Sequence, residues 1–172
     1  MDFLPNSPHA RDIKHIIHPA TNLDKHLTQG PTIMSRGEGV YLYDDAGKKY
    51  LEAMAGLWCV SLGYSEKRLA DAAYRQMLEL PYNQMFGHRS HESAIDLSER
   101  LLSIAPKSLD KVLYSTSGSE ANDQAVKLVW YYHNAIGKPR KKKIISRVRA
   151  YHGVTIYAGS LTGLPNNHID FD

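Results

Sequence analysis

Residues 111–153 limit the architecture more than any other part of the chain. "KVLYS" (111–115) is a short β-prone run, and "KKIISRVRAYHG" (142–153) is a second one. Between them "STSGSEANDQAVKLVWYYHNAIG" (115–137) enters a helical pattern through small polar residues. A strand, a helix and a strand in that order make a crossover unit, which implies parallel strands with the helix packed on one face. The expectation is therefore a layered α/β domain with a partly parallel sheet. Its helix should run from about Ser119 to Ile136 and stop at Gly137 and Pro139.

Upstream, "GVYLYDDAGKKYLEAMAG" predicts a hairpin, with Val40–Tyr43 and Lys48–Leu51 flanking the turn Asp44-Asp45-Ala46-Gly47. A small antiparallel sheet follows. Apolar residues at three- and four-residue spacing predict one helix from near Ser65 to the stop at Pro81. They predict another from about Ser90 to Ile104, ended by Pro106, and Thr155–Ala158 begins a further one. Residues 1–36, broken by prolines at 5, 8, 19 and 31, read as a mostly irregular arm with one short helical turn. The expected division is 1–70, arm and part of a small domain, and 71–172, the start of a larger α/β domain. No internal repeat or low-complexity tract is evident.

The formal charge of +3 has a local source, since Lys138–Lys143 carries five positive charges in six positions. Elsewhere acids and bases nearly balance, so steering toward nucleic acid is not a property of the whole chain. A single cysteine, Cys59, excludes an internal disulfide and a cysteine-rich zinc site. No apolar run approaches the roughly 20 residues of a membrane span. The first residues, "MDFLPNSPHARD", lack a basic-then-apolar leader, and a cytoplasmic setting is expected.

Three stretches point to chemistry. In "STSGSEAN" Gly118 permits close approach of a ligand, the first helical N–H groups lack backbone acceptors, and Ser119 adds a hydroxyl. With the favourable potential of a helix start, these make a phosphate cradle. Ser117 and Glu120 also match a capping box, which starts a helix without any ligand. The two readings are compatible. The spacing is neither GxxxxGK[ST] nor GxGxxG. In "AYHG", directly after the second β-prone run, Tyr151 can stack on a flat ring, His152 can hydrogen-bond and Gly153 keeps space open. The alternative has Tyr151 covering the sheet and His152 facing solvent. Trp58 in "GLWCV" walls a pocket or fills a domain junction.

Taken together, "YLEAMAGLWCVSLGY", "YNQMFGHRSHESAIDLSERL", "YSTSGSEANDQAVKL" and "IISRVRAYHGVT" resemble the N-terminal part of class III aminotransferases, nearest to the ω-amino acid or amine–pyruvate transaminases. The resemblance covers about residue 10 to 172. It implies the fold type I architecture of enzymes that depend on pyridoxal 5′-phosphate (PLP): a small antiparallel hairpin region followed by the start of a three-layer α/β/α large domain. It places Gly118 and Ser119 at the PLP phosphate, Tyr151 on the pyridine ring, and His152 and Gly153 in the same motif. Trp58 falls on the substrate-pocket wall, and Phe86 on a position that reaches the partner subunit's pocket in a homodimer. Glu120 reads as structural.

The resemblance also implies what these residues do not supply. Transamination needs a lysine that forms a Schiff base with PLP and shuttles the proton, and a carboxylate on the pyridine nitrogen. In the family both lie further along the chain than position 172, as does the arginine for the substrate carboxylate. No lysine in this sequence stands in an equivalent motif, and Lys127 lies inside the helix. With "SLTGLPNNHIDFD" ending in loop-like sequence, the expectation is a truncated aminotransferase, inactive by itself, with no catalytic residue of its own. The parent reaction passes an amino group from an ω-amino acid or amine to pyruvate or a similar keto acid. Alternatives are a non-catalytic gene remnant or interaction protein, and nucleic-acid binding through 138–143, which lacks aromatic interleaving or zinc spacing. No metal is expected: His88 and His91 lack a third ligand, and the pair His15 and His18 is equally unconvincing.

Overall fold

A computed structural model describes residues 3–171. Met1, Asp2 and Asp172, at the outer ends of the expected arm and of the expected large-domain start, lie outside the described residues. The chain forms two compact units, Met1–Gln84 and Met85–Asp172.

The first unit begins with two helices where a mostly irregular arm with one short helical turn was expected. Helix α1 is Pro8–His15 and α2 is Leu23–Gln29. The reason is where the breakers fall. Pro8 sits at the first helical position, where a missing N–H has no consequence, and Ser7 Oγ accepts the Ala10 N–H at 3.2 Å. Asn22 caps α2 through the Lys25 N–H at 3.0 Å, and Gly30 ends it at φ +69°. A strand, β1 (Met34–Glu38), follows and was also not foreseen. It has no alternating pattern, because its existence depends on pairing with a neighbour.

That neighbour is β2 (Tyr41–Asp44), which pairs antiparallel with β1 and with β3 (Lys49–Leu51), giving the order β1-β2-β3. The β2–β3 turn is the expected hairpin, and Asp44 builds it. One carboxylate oxygen accepts the N–H groups of Ala46 (3.0 Å) and Lys48 (2.8 Å), and the other accepts the Tyr50 hydroxyl (2.8 Å). Gly47 supplies φ +81°. The Tyr50 hydroxyl, then the two N–H groups, hold Asp44 below its usual pKa of 3.8, against the opposing effect of burial. A depressed carboxylate stabilises the fold above its unfolded pKa, and that contribution is lost as pH falls through the lower folded value. Urea midpoints should thus decline below about pH 4, the unfolded value for aspartate. The decline should be shallower in Asp44→Asn; an identical acid limb in that variant would refute the assignment.

Beyond β3 comes a one-turn element, α3 (Ala55–Trp58), and then α4 (Lys67–Glu79) within the expected helical stretch. In the second unit, α5 (Glu92–Ile104) and α6 (Gly118–Ala135) match the expected helices within one or two residues. A short α7 (Ile156–Leu161) follows. His91 caps α5, its Nδ1 accepting the Ala94 N–H at 3.3 Å, so its ring serves the helix start.

Two expected strands are absent. Neither 111–115 nor the run 142–149 joins a ladder among the described residues. A strand is defined by a lateral partner, and these segments are tied by side chains to helices. Tyr114 Oη lies 2.8 Å from Ser98 Oγ and donates to Ala94 O of α5 at 3.2 Å. The Trp130 indole of α6 donates to Lys142 O at 3.0 Å. Lys142 Nζ in turn reaches Trp130 O (3.2 Å) and Asn134 Oδ1 (2.6 Å), so part of the basic run serves the C-terminal end of α6. Burial, then Lys141, Lys138 and Lys142, hold the His133 imidazole below its ordinary range.

The apolar faces that predicted α4 and α5 remain largely open. Leu69 and Met77 on α4, and Ile95, Leu101 and Ile104 on α5, are exposed. Periodicity establishes that a helix has an apolar face, not what covers it. Among the described residues the buried apolar side chains are Val126 of α6 and Ala158 of α7, two helices in contact with each other.

Candidate cofactor site

The start of α6 and the loop 150–155 form one hydrogen-bonded knot. Ser117 is the N-cap, with extended backbone, and its Oγ accepts the Glu120 N–H at 3.2 Å. Glu120 folds back past the cap: one carboxylate oxygen accepts the Thr116 N–H at 3.0 Å and the Thr116 hydroxyl. The hydroxyl first, then that N–H, lower the Glu120 pKa, so it stays a carboxylate committed to the cap. The capping reading is therefore correct, with Thr116 in place of the cap residue as the N–H answered. It leaves the N–H groups of Gly118 and Ser119 with no acceptor among the described residues.

Ser119 reaches across 35 positions. Its Oγ accepts the Val154 N–H at 3.0 Å, keeping its own hydrogen available to donate. Gly153 makes this approach possible. It has φ +134°, and a Cβ there would lie 2.8 Å from Ser119 Cα and Cβ and nearer still to Oγ. Gly118 is the opposite case, since a Cβ there would meet nothing within 4 Å and its φ is ordinary. The protein's own packing does not require a glycine at 118. Open space over two free N–H donors at a helix start suits the close approach of a phosphate.

Further residues lock the loop. Asn122 Nδ2 donates to His152 O at 2.6 Å. Asp123 Oδ1 accepts the Thr155 hydroxyl (2.9 Å) and the Ala158 N–H (3.0 Å), joining α6 to the start of α7. Thr162, fully buried, accepts the His152 N–H at 2.9 Å and faces Gly153 O at 3.0 Å and Ala158 O at 3.2 Å. Two backbone bonds of Gly163, its O accepting the Arg149 N–H and its N–H donating to Ala150 O, both 2.8 Å, close the base. The Tyr151 ring next to this knot is 60% exposed and free to stack. Sequence reading missed Asn122, Asp123 and Thr162. Asn122 and Asp123 look like a solvated helix face, and nothing local reveals their partners thirty or more positions away, while Thr162 looks like an ordinary helix end whose hydroxyl could equally face solvent.

Trp58 and Phe86 belong to different compact units, and both are exposed. Trp58 ends a turn of left-handed backbone: Ala55, Gly56, Leu57 and Trp58 have φ of +48°, +59°, +61° and +67°. For each non-glycine residue that conformation costs about 1–2 kcal/mol. Glu52 holds the turn, accepting the N–H groups of Met54 (3.0 Å) and Gly56 (2.6 Å) on separate carboxylate oxygens. Strain of this kind gathers where a side chain must be presented at a set position.

The class-III aminotransferase family model matches residues 23–172. The chain belongs to that family. Among solved structures, this aminotransferase chain resembles the omega transaminase of Pseudomonas jessenii in complex with PMP. The two are 53% identical with a TM-score of 0.94, over 96% of this chain and 37% of the other. A probable gamma-aminobutyrate transaminase 2, mitochondrial, of Oryza sativa subsp. indica is 51% identical over 83% of this chain and 29% of its own length. Vanillin aminotransferase of Capsicum annuum is 49% identical over 83% of this chain and 31% of its own length. The chain thus spans about a third of the length of the relatives it matches. Its fold is the N-terminal portion of the PLP-dependent transaminase fold, and the family's cofactor is pyridoxal 5′-phosphate.

Proposed function

We propose that these residues form the cofactor-holding part of a transaminase that passes an amino group from an ω-amino acid or amine to pyruvate or a similar keto acid. The observation that carries this is the pairing of an open, donor-rich helix start at Gly118–Ser119 with the exposed Tyr151 ring on the same hydrogen-bonded knot. The N–H groups of Gly118 and Ser119 and the Ser119 hydroxyl bind the phosphate, and Tyr151 stacks on the ring. Gly153 admits Ser119, and His152 is held by Thr162 and Asn122. Bound there, pyridoxal phosphate supplies an electron sink for the charge left when a proton leaves the amine-bearing carbon.

Trp58 shapes the donor slot from its left-handed turn, and Phe86 acts at the pocket of a homodimer partner. A P. jessenii variant engineered for bulky amines is substituted at a tryptophan and a phenylalanine whose numbers coincide with those of Trp58 and Phe86. The setting we propose is the cytoplasm, although the rice relatives are named mitochondrial.

Residues 1–172 hold the cofactor without turning it over. Lys127 lies nine residues into α6, about 13 Å along its axis from Gly118. Lys138–Lys143 follows the far end of that helix. The test uses PMP, whose amine cannot form imines with surface lysines. Calorimetry should show saturable PMP binding to the 172-residue chain, weakened about ten- to a hundredfold by Ser119→Ala through loss of a hydrogen bond to a charged group. Transfer of an amino group to pyruvate should not exceed the blank. Undiminished binding by the Ser119→Ala variant would remove the phosphate assignment, and turnover would remove the inactivity.

A further inference from the structure

Apart from the cofactor site, one cluster of ligand-type side chains stands out in the first unit. We propose that Asp12, His18 and His26 bind a divalent transition-metal cation of the zinc, cobalt and nickel class, pinning α1 to α2. Asp12 lies in α1, His26 in α2 and His18 in the segment between them. A single carboxylate oxygen, Asp12 Oδ1, lies 2.8 Å from His18 Nε2 and 2.9 Å from His26 Nε2. The three ligand atoms all fall within 4.8 Å of one another. Their side chains are mostly withdrawn from solvent, 9% exposed for His26, 11% for Asp12 and 31% for His18.

Hydrogen bonds of ordinary length join both rings to that one oxygen, and the same three atoms make a ligand set for a cation. Two imidazoles converge on the same oxygen, their ring centroids 4.4 Å apart and tilted by 50°. The second oxygen of Asp12 has no hydrogen bond among the described residues. A cation among the three atoms takes both ring nitrogens and the carboxylate at about 2.0–2.2 Å, with each ring carrying its hydrogen on Nδ1. Tetrahedral ligand atoms at that length stand about 3.4 Å apart, so each ring nitrogen draws back from the oxygen by about half an ångström while the two nitrogens, within 4.8 Å of one another, close on the cation. Two imidazoles and one carboxylate suit zinc and its borderline neighbours, whereas magnesium and calcium prefer all-oxygen sets. With three protein ligands, water completes the coordination. His15, the residue that sequence spacing pairs with His18, takes no part in the cluster.

The 172-residue chain should bind one zinc ion saturably in equilibrium dialysis, and zinc should raise its thermal midpoint while magnesium leaves it unchanged. With cobalt, the chain should show the visible absorption of a low-coordinate site with imidazole ligands. Asp12→Asn and His18→Gln should each weaken zinc binding about a hundredfold or more, whereas His15→Gln should leave it unchanged. His18→Gln alters the most exposed ligand and is the variant best placed to keep its fold, as circular dichroism would verify. Absence of saturable zinc binding to the unsubstituted chain overturns the proposal. So does a cobalt spectrum without imidazole ligation, or one-to-one binding that survives both ligand substitutions and so belongs to other surface histidines or Cys59.

Discussion

Gly153→Ala is expected to destabilise the second unit by about 2–5 kcal/mol, combining the strain of a positive φ on an alanine with overpacking. The new methyl would press on Ser119 Cα and Cβ at 2.8 Å, both on the first turn of α6, where neither can move without disturbing the helix start. The Val154 N–H would lose its place on Ser119 Oγ, and PMP binding should fall with stability. Gly118→Ala is the control. Its Cβ meets nothing within 4 Å, so stability should hold or rise slightly on helix propensity, while PMP affinity drops because the methyl occupies the phosphate's space. Urea unfolding and PMP calorimetry on the two variants separate the roles of the glycines. Undiminished stability of the Gly153→Ala variant would show that the loop can retreat from α6.

Thr162→Val is expected to cost about 2–4 kcal/mol although it conserves shape, because buried polar groups lose their partner. Thr162 is fully buried, and its hydroxyl accepts the His152 N–H while directing its single hydrogen to Gly153 O or Ala158 O. Valine leaves that N–H without its acceptor, facing a methyl group at a fully buried position. Thr162→Ser keeps the hydroxyl and removes one methyl, for about 1 kcal/mol. The ordering Thr, Ser, Val in urea midpoints is the prediction, along with faster amide exchange at His152 in the valine variant. Equal losses for serine and valine would mean that packing, not the hydroxyl, holds the loop.

Both predictions concern residues whose importance lies in distant partners. The capping pair Ser117 and Glu120 was legible because a helix start is a local event, completed within four residues. The stops at Pro81, Pro106 and Gly137 were legible for the same reason. Gly118 was visible as a candidate but not as distinct from Gly153. One glycine leaves space open and the other closes on Ser119, a difference set by which backbone passes nearby.

The sequence by itself determined the helices α4, α5 and α6, the β2–β3 hairpin, and the order of motifs that marks a class III aminotransferase. Each of these rests on backbone propensity, capping or spacing within a short window. Only the tertiary structure decided that β1 exists, that 111–115 and 142–149 have no strand partner among the described residues, and that Trp58 rides a left-handed turn held by Glu52. It also decided that Ser119 grips Val154 and that two histidines share one oxygen of Asp12. These features depend on pairing between segments separated along the chain, and a local pattern records the groups available for such pairing without recording which of them meet.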